Sequence, residues 1–518
     1  MYSQTEIAMD RDTIAVVLLL SLAVLPLLSG KNASKTAALI TAPFRFFVRR
    51  IHAWSYLLNA KEIIEAGYQR SSGKPFEVLS PDVRFTFISE AKHIKELDTA
   101  PGNVLSLYAA AKHLLQPVHT MNGFDWFVDR GVEGIGFVRT VRTLLTNNMT
   151  KLLPDLKVLA RTRFEKLLHS HELVNGNRHS PVYPMVMKLV VLLNAASLFG
   201  SDIAKDEEFQ EAALSYVEQT LINAEIVKLV PKFLSRPVGE FLARRLDSQK
   251  MFFSRLVPIA EQRIQDRDLR SLGHDIPKQA DCIQWIMETA PRGQSWPAER
   301  IIQELMAIWF GSVHPLCNTI VFAIHDLCLH PEYAEPIRKE LDAQYEAFEA
   351  TGQGLPLLDS FIKESARLTP VESLSTRRCA LQPFTFSDGT KLAVGEWAVT
   401  PCGAIMRSEE HYPAASEFNG FRFVDPEILK QVDNAGSFSL AQPKPSKLTD
   451  VDNSFLMWGT GRMACPGRFY ATAIMKVILG HIIMNYDCSL VEPSAPRSFT
   501  WRTATVPKDE AMVVFTPR

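Results

Sequence analysis

The chain has 518 residues, 47% of them hydrophobic and 22% charged, with a net charge of −1. That balance excludes a disordered chain and gives no bulk electrostatic pull toward nucleic acid, so no nucleic-acid partner is expected. Seven cysteines, an odd number without a CxxC pair, argue against a disulfide framework or a cysteine-rich zinc site and fit a reducing compartment. No internal repeat or low-complexity tract divides the chain.

The first predicted element is an uncharged run from Thr13 to Gly30, rich in Leu, Val, Ile and Ala. As a helix it reaches about 27 Å, enough for a thin bilayer. Glu6, Asp10, Arg11 and Asp12 precede it, and bases Lys31, Lys35, Arg45, Arg49 and Arg50 follow it. The positive-inside rule then puts the bulk of the chain in the cytosol. A cleaved signal peptide is the competing reading, and the acidic leader and unpaired cysteines weigh against it. The expected layout is a lumenal 1–12, an anchor at 13–30, a linker and membrane-surface segment at 31–59, and one domain over 60–518. Aromatic and basic residues in Ala37–Leu58 suit either a membrane surface or a core helix.

From residue 60 to about 345 the apolar spacing is mainly helical, as in Val182–Leu198, Phe209–Val230 and Val238–Arg263, with a short strand near Val83–Ile88. Pro297 to His330 reads as one long helix of about 50 Å, opened by Pro297 and ended before Pro331. Leu358–Leu368 is a further helix. From Val371 to Thr400 the pattern turns to short β segments, with a hairpin turn at Ser387-Asp388-Gly389. Asp425–Asp452 is polar and reads as a surface loop, Phe469–Met484 as a helix, and the tail from Ser498 as β. The expected class is mainly α with small sheets.

The segment Phe455 to Phe469 carries the strongest chemical signal. Gly459, Gly461 and Gly467 flank Cys465, and glycines allow a tight hairpin and close approach to a flat ligand. A cysteine beside backbone N–H groups and a helix start has a stabilised thiolate. Such a thiolate pushes electron density onto haem iron and favours O–O cleavage.

This loop resembles the haem-binding signature of the cytochrome P-450 superfamily. Trp458, Gly461 and Gly467 occupy the family's aromatic and glycine places around Cys465. Trp458 replaces the usual Phe, and Met463 sits where a base often lies, with Arg462 one residue earlier. Glu364-Ser365-Ala366-Arg367, about a hundred residues before Cys465, resembles the family's Glu-x-x-Arg helix. Phe418-Asn419-Gly420-Phe421-Arg422-Phe423 resembles its later arginine segment. The resemblance implies that Glu364, Arg367 and Arg422 form a buried charge network that holds the cysteine loop. It implies that Arg139 or Arg142 meets a haem propionate, and it leaves open whether Arg462 reaches one.

The family's helix over the haem usually carries small–small–x–acid–Thr. The matching residues are Gly311, Ser312, Val313, His314 and Pro315. The small pair is kept, while the acid is His314 and the alcohol is Pro315. The resemblance implies that protons for oxygen activation come by another route, among Ser312, His314, Thr319, water and a substrate hydroxyl. By position, Leu105–Phe127, Val371–Leu374 and the tip of the last hairpin at Thr503–Val506 line the substrate side, and their apolar character suits a hydrophobic ligand such as a terpenoid. Arg462, Arg468 and Lys476 lie near the thiolate side and suit an acidic reductase.

The resemblance thus implies a cytochrome P-450 fold with haem b and O2, and electrons from NADPH through an NADPH-cytochrome P-450 reductase. The expected protein is a monomeric, single-pass monooxygenase of the endoplasmic reticulum membrane that faces the cytosol and oxidises a terpenoid or meroterpenoid of fungal secondary metabolism. Two alternatives stand beside it: a haem-thiolate isomerase or dehydratase acting on a peroxide without a reductase, and a non-catalytic haem-binding membrane partner.

Overall fold

A computed structural model describes residues 53–126, 136–171, 173–290, 295–432 and 444–518. The expected anchor at 13–30, and the linker as far as residue 52, lie outside the described residues. The described residues belong to one compact unit, Ala53–Arg518.

Helices make up most of that unit, with four small sheets. Residues 53–71 are helical, and Tyr56, Ala60 and Ile64 are buried against Phe85, Phe87 and Trp397. This part of Ala37–Leu58 is therefore a core helix. The largest sheet orders Phe76–Leu79, Arg84–Phe87, Trp397–Thr400, Ser375–Ala380 and Leu105–Ser106. Its pairs are antiparallel, except that Arg84–Phe87 runs parallel to Trp397–Thr400, with Phe85 opposite Trp397. The predicted turn holds: Gly389 has φ +89°, and Asp388 accepts from the backbone of Thr390 between two short strands.

Two apolar helices fill the middle. Val182–Phe199 and the run Ala298–Leu329 are long and apolar enough to cross a bilayer, but most of each is buried inside the protein. A helix that is hydrophobic all round belongs in a core. Phe199, Phe209, Phe252 and Trp309 pack ring to ring where these helices meet their neighbours.

Two predicted helices are each two helices. The stretch expected at Val238–Arg263 divides into Lys232–Arg244 and Asp247–Ser271, interrupted at Arg245 and Leu246. The run expected at Pro297–His330 divides into Ala298–Ser312 and His314–Leu329, interrupted at Val313 with φ −85° and ψ −69°. Pro315 is the cause of the second break, because it has no N–H for the carbonyl of Gly311 and its ring crowds that carbonyl. Elsewhere the expected helices stand, among them Pro356–Leu368 and Arg468–Asn485.

Candidate active site

Cys465 sits in a loop whose backbone is fixed from several directions. Its own N–H donates to the carbonyl of Trp458 at 2.7 Å, and the N–H of Gly459 donates to Leu456 at 3.0 Å. Gly459 and Gly461 have φ of +74° and +58°, a region that disfavours other residues. A Cβ on Gly461 would stand 2.6 Å from the carboxylate carbon of Asp98, so sterics and dihedral both require glycine there. The indole N–H of buried Trp458 donates to Leu448 at 2.6 Å. Trp458 therefore ties the loop to the segment before it. That segment, expected as a long surface loop, carries a short helix at Pro426–Leu429 and is anchored to the core: Leu448 N–H donates to Asp359, and Lys363 bonds Ser446 and Lys447.

Three arginines expected at the cofactor take different places. Arg142 donates to the carbonyls of Arg462 and Ala464 at 3.0 and 3.3 Å and so pins the cysteine loop. Arg462 donates to Ala100 at 2.9 Å, and Arg139 is exposed. Sequence reasoning missed a fourth, Arg378. It is 4% exposed and lies 3.5 Å from Asp98, which also accepts from Thr460 at 2.9 Å. Burial lowers its pKa to about 10, as expected of a cation taken from water. Its alternation along a half-buried strand, inward where neighbouring Arg377 points outward, was the available signal. Arg468 donates to the carbonyls of Thr449 and Cys465, and Gly467 lies against Val141. Burial pushes the Cys465 thiol up, opposed by the N–H groups of Gly467 and Arg468 and by nearby Arg468 and Arg142. Lys476, placed on a reductase surface by sequence alone, is buried and paired with Asp359 at 2.5 Å, because the helix turns it inward.

The predicted charge network is present. Glu364 and Arg367 are fully buried, and Arg422 is nearly so. Arg367 grips Glu364 with two bonds of 2.7 and 2.8 Å, and Arg422 reaches the same carboxylate at 3.0 Å. The remaining guanidinium donors bond the carbonyls of Met406, Pro413, Ala414, Ala415 and Glu417. The network thereby shapes the chain between Met406 and Arg422. That chain reaches the cysteine loop through Met406, whose sulfur accepts from the N–H of Leu456 at 3.3 Å.

The central helix presents a different surface. Ala307, Gly311 and Pro315, four residues apart, are partly or fully exposed on a helix otherwise largely buried. A Cβ on Gly311 would meet nothing within 4 Å. Ala307 and Phe310 pack against Met121, Phe124 and Trp126, which places the end of Leu105–Phe127 beside this face. Phe127 lies outside the described residues.

The three polar candidates on this helix are engaged. Ser312 Oγ donates to Trp309 at 2.9 Å, and Thr319 Oγ1 donates to Pro315 at 2.8 Å. Their hydroxyl protons therefore go to helix carbonyls. His314 Nδ1 lies 3.4 Å from the hydroxyl of Tyr183, and its Nε2 is buried without a partner. Burial lowers its pKa to about 4, so the ring is neutral near pH 7. Meanwhile the carbonyl of Gly311 can receive no helical bond from Pro315 and is left as an acceptor beside the open face.

The substrate-side segments close on one another. Ser373 N–H donates to Thr503, Thr505 N–H to Val371, and Thr503 Oγ1 to Glu372. Asn318 joins them to the central helix through Thr505 at 3.2 Å, and Ser375 joins them to the cysteine loop through Leu456 at 2.8 Å. The hairpin tip itself is Arg502–Thr503, since Ala504–Pro507 is the returning strand.

A family model for cytochrome P-450 matches residues 70–515. Relatives include the cytochrome P-450 monooxygenases ptmQ of Penicillium ochrochloron and olcJ of Penicillium canescens. The first is 26% identical, covering 90% of this chain and 88% of the relative. The second is 28% identical, covering 82% and 77%. Among solved structures, a retinoic acid-bound cyanobacterial CYP120A1 superposes with a TM-score of 0.65 at 15% identity, covering 89% of this chain and 97% of that one. The chain belongs to the cytochrome P-450 family and has its fold. It is an oxidoreductase of the monooxygenase class, and the family implies haem with an axial cysteine and use of O2.

The residues present fit that cofactor. The loop offers one thiol on a fixed backbone, with glycines at its tightest points. A buried cation, Arg378, stands beside it, and Gly311 leaves its stretch of the central helix without a side chain.

Proposed function

We propose that Cys465 is the axial ligand of haem b in an enzyme that oxidises a hydrophobic terpenoid or meroterpenoid intermediate of fungal secondary metabolism. Electrons come from NADPH through a cytochrome P-450 reductase. The observation that carries this reading is the cysteine loop, held by Gly461, Trp458 and Arg142 so that one thiol is presented on a rigid backbone. Bound haem supplies oxygen activation and electron transfer, with thiolate donation favouring O–O cleavage. Arg378, Arg462 and Arg142 supply the positive charge suited to its carboxylates. Gly311 keeps side chains away from the oxygen side, and its carbonyl orients a water or a substrate hydroxyl as the proton source. Ser312, Thr319 and neutral His314 hold the helix instead of supplying that proton.

A membrane setting is part of this proposal. On the helix Lys232–Arg244, Phe233 is 79% exposed and Phe241 is 52% exposed, with Arg236 and Arg244 on the same helix. Aromatic side chains among bases suit a membrane interface. Together with the uncharged run 13–30, this supports the cytosolic face of the endoplasmic reticulum.

The absence of a free hydroxyl at Pro315 favours a second reading, rearrangement of a hydroperoxide without a reductase. Two measurements decide. The reduced, carbon monoxide-bound absorption spectrum is expected to show a thiolate-type Soret band that Cys465→Ser lacks; a parent protein without that band sinks the assignment. Turnover is then expected to require NADPH and reductase. Efficient conversion of a hydroperoxide with neither establishes the second reading in its place.

A further inference from the structure

The helix Val182–Phe199 is almost wholly apolar and buried, yet it carries Asn194 and Ser197 at full burial in its middle. Three residues apart, they share one face. A buried amide in such a setting costs stability unless each of its polar atoms is matched. Here they are matched across three helices. Asn194 Nδ2 donates to the carbonyl of Ser312 at 3.1 Å and lies 3.3 Å from its hydroxyl. Asn194 Oδ1 accepts from the hydroxyl of Tyr470 at 3.0 Å, which also bonds Ser197 at 3.0 Å. Tyr470 belongs to the helix that follows Cys465.

The Ser312 partner is informative. In an uninterrupted helix the carbonyl of Ser312 would accept from the amide of Leu316. The ladder lapses at Val313 and resumes with Cys317 N–H donating to Val313 at 3.0 Å. The amide of Asn194 replaces the missing donor. It therefore complements the broken helix, where the Ser312 carbonyl lacks its ladder donor.

We infer that Asn194 is a positioning residue, one that holds the helix break at Gly311–Pro315 open and ties the oxygen side to the thiolate side through Tyr470. This rests on the monooxygenase reading and adds a residue that the family's sequence motifs do not mark. Asn194 touches no reacting atom. It acts through the Ser312 carbonyl, which sets the register of Gly311 and the carbonyl exposed there. Pro315 creates the break; Asn194 stabilises one geometry of it.

The test is a double-mutant cycle of Asn194→Leu and Pro315→Ala in haem-loaded protein, read by the C–O stretching band of the reduced carbon monoxide complex. That band senses the polar groups on the oxygen side. Asn194→Leu is expected to shift or split it in the parent background. Pro315→Ala restores the missing N–H, and in that background Asn194→Leu is expected to leave the band where Pro315→Ala put it. A band unmoved by Asn194→Leu, or moved equally in both backgrounds, overturns the inference, because a merely structural asparagine would not depend on Pro315. Should Asn194→Leu fail to fold, Tyr470→Phe removes the anchor of Asn194 and leaves the amide in place. It is then expected to move the band in the same direction by a smaller amount, and an unmoved band counts against the inference. A parent without the thiolate-type Soret band defeats the haem-thiolate reading itself, whereas a normal Soret band with an unmoved C–O band defeats only the role of Asn194.

Discussion

The cysteine loop and the broken central helix are both irregular backbone inside a packed core, and they satisfy their polar groups by different means. Around the loop and the segment that leads to it, charged donors join the neutral ones of Trp458 and Ser375: Arg142 and Arg468 bond loop carbonyls, and Arg367 and Arg422, paired with Glu364, bond carbonyls between Met406 and Glu417. Around the break the donors are neutral: Asn194, the Ser312 hydroxyl and the Thr319 hydroxyl. Charge-assisted bonds are shorter and about twice as strong as neutral ones. On the proposed function, the cysteine loop is thereby held in place, while the Gly311 carbonyl, which Pro315 cannot bond, is the acceptor offered to water or a substrate hydroxyl. The comparison teaches where change is expected to cost most: at Glu364, the one carboxylate that Arg367 and Arg422 share.

The most severe way to break the charged side is Cys465→Ser, expected to remove the thiolate-type spectrum and all monooxygenation while the protein remains folded. Product analysis with reductase and NADPH checks it. Next comes Glu364→Ala, which strands Arg367 and Arg422 without a counter-ion. Breaking a buried pair costs roughly 3–5 kcal/mol, so loss of haem content and a large fall in the denaturation midpoint are expected. Arg422→Ala leaves the doubly bonded Glu364–Arg367 pair in place and is expected to cost less.

On the neutral side, acid is the probe. His314 and His325 are buried with pKa lowered to about 4, against 6.5 for an ordinary histidine. The unfolded chain binds these protons first, so the neutral rings contribute stability above pH 6.5 that is lost as pH falls toward 4. Each accounts for a loss on the order of 3 kcal/mol across that window. His314→Gln is expected to flatten the midpoint-versus-pH curve between 6.5 and 4, and an unchanged curve would place the titration elsewhere. The smallest effect concerns the loop again. Gly461→Ala places a methyl group against Asp98 in a left-handed conformation, at about 1–3 kcal/mol, and thermal unfolding of the holoprotein measures it.

Much of this was legible in the sequence because spacing alone carries it. Glu364 and Arg367, three apart on one helix, had to share a face, and Cys465 between glycines had to lie in a tight turn. What escaped was decided by direction and distance. Nothing local tells that Lys476 turns inward to Asp359, and for Arg378 the alternation of its strand marks an inward side chain without naming Asp98 as its partner. The break at Val313 was half visible: Pro315 signals distortion, but periodic apolar residues continue through it, so the run reads as one helix. Asn194 was invisible, since its partners Ser312 and Tyr470 are 118 and 276 residues away.

That separation has a consequence for how the chain assembles. A helix grows cheaply only by extending a hydrogen-bonded ladder, and a new nucleus is costly. The lapse at Val313 stops growth from either half, so Ala298–Ser312 and His314–Leu329 must each nucleate. Their joint is completed only when Val182–Phe199 docks and delivers the amide of Asn194. Contacts so distant in sequence carry a loop-closure cost that contacts within one helix do not. The geometry of the break thus depends on the docked helix Val182–Phe199 as well as on its own local sequence.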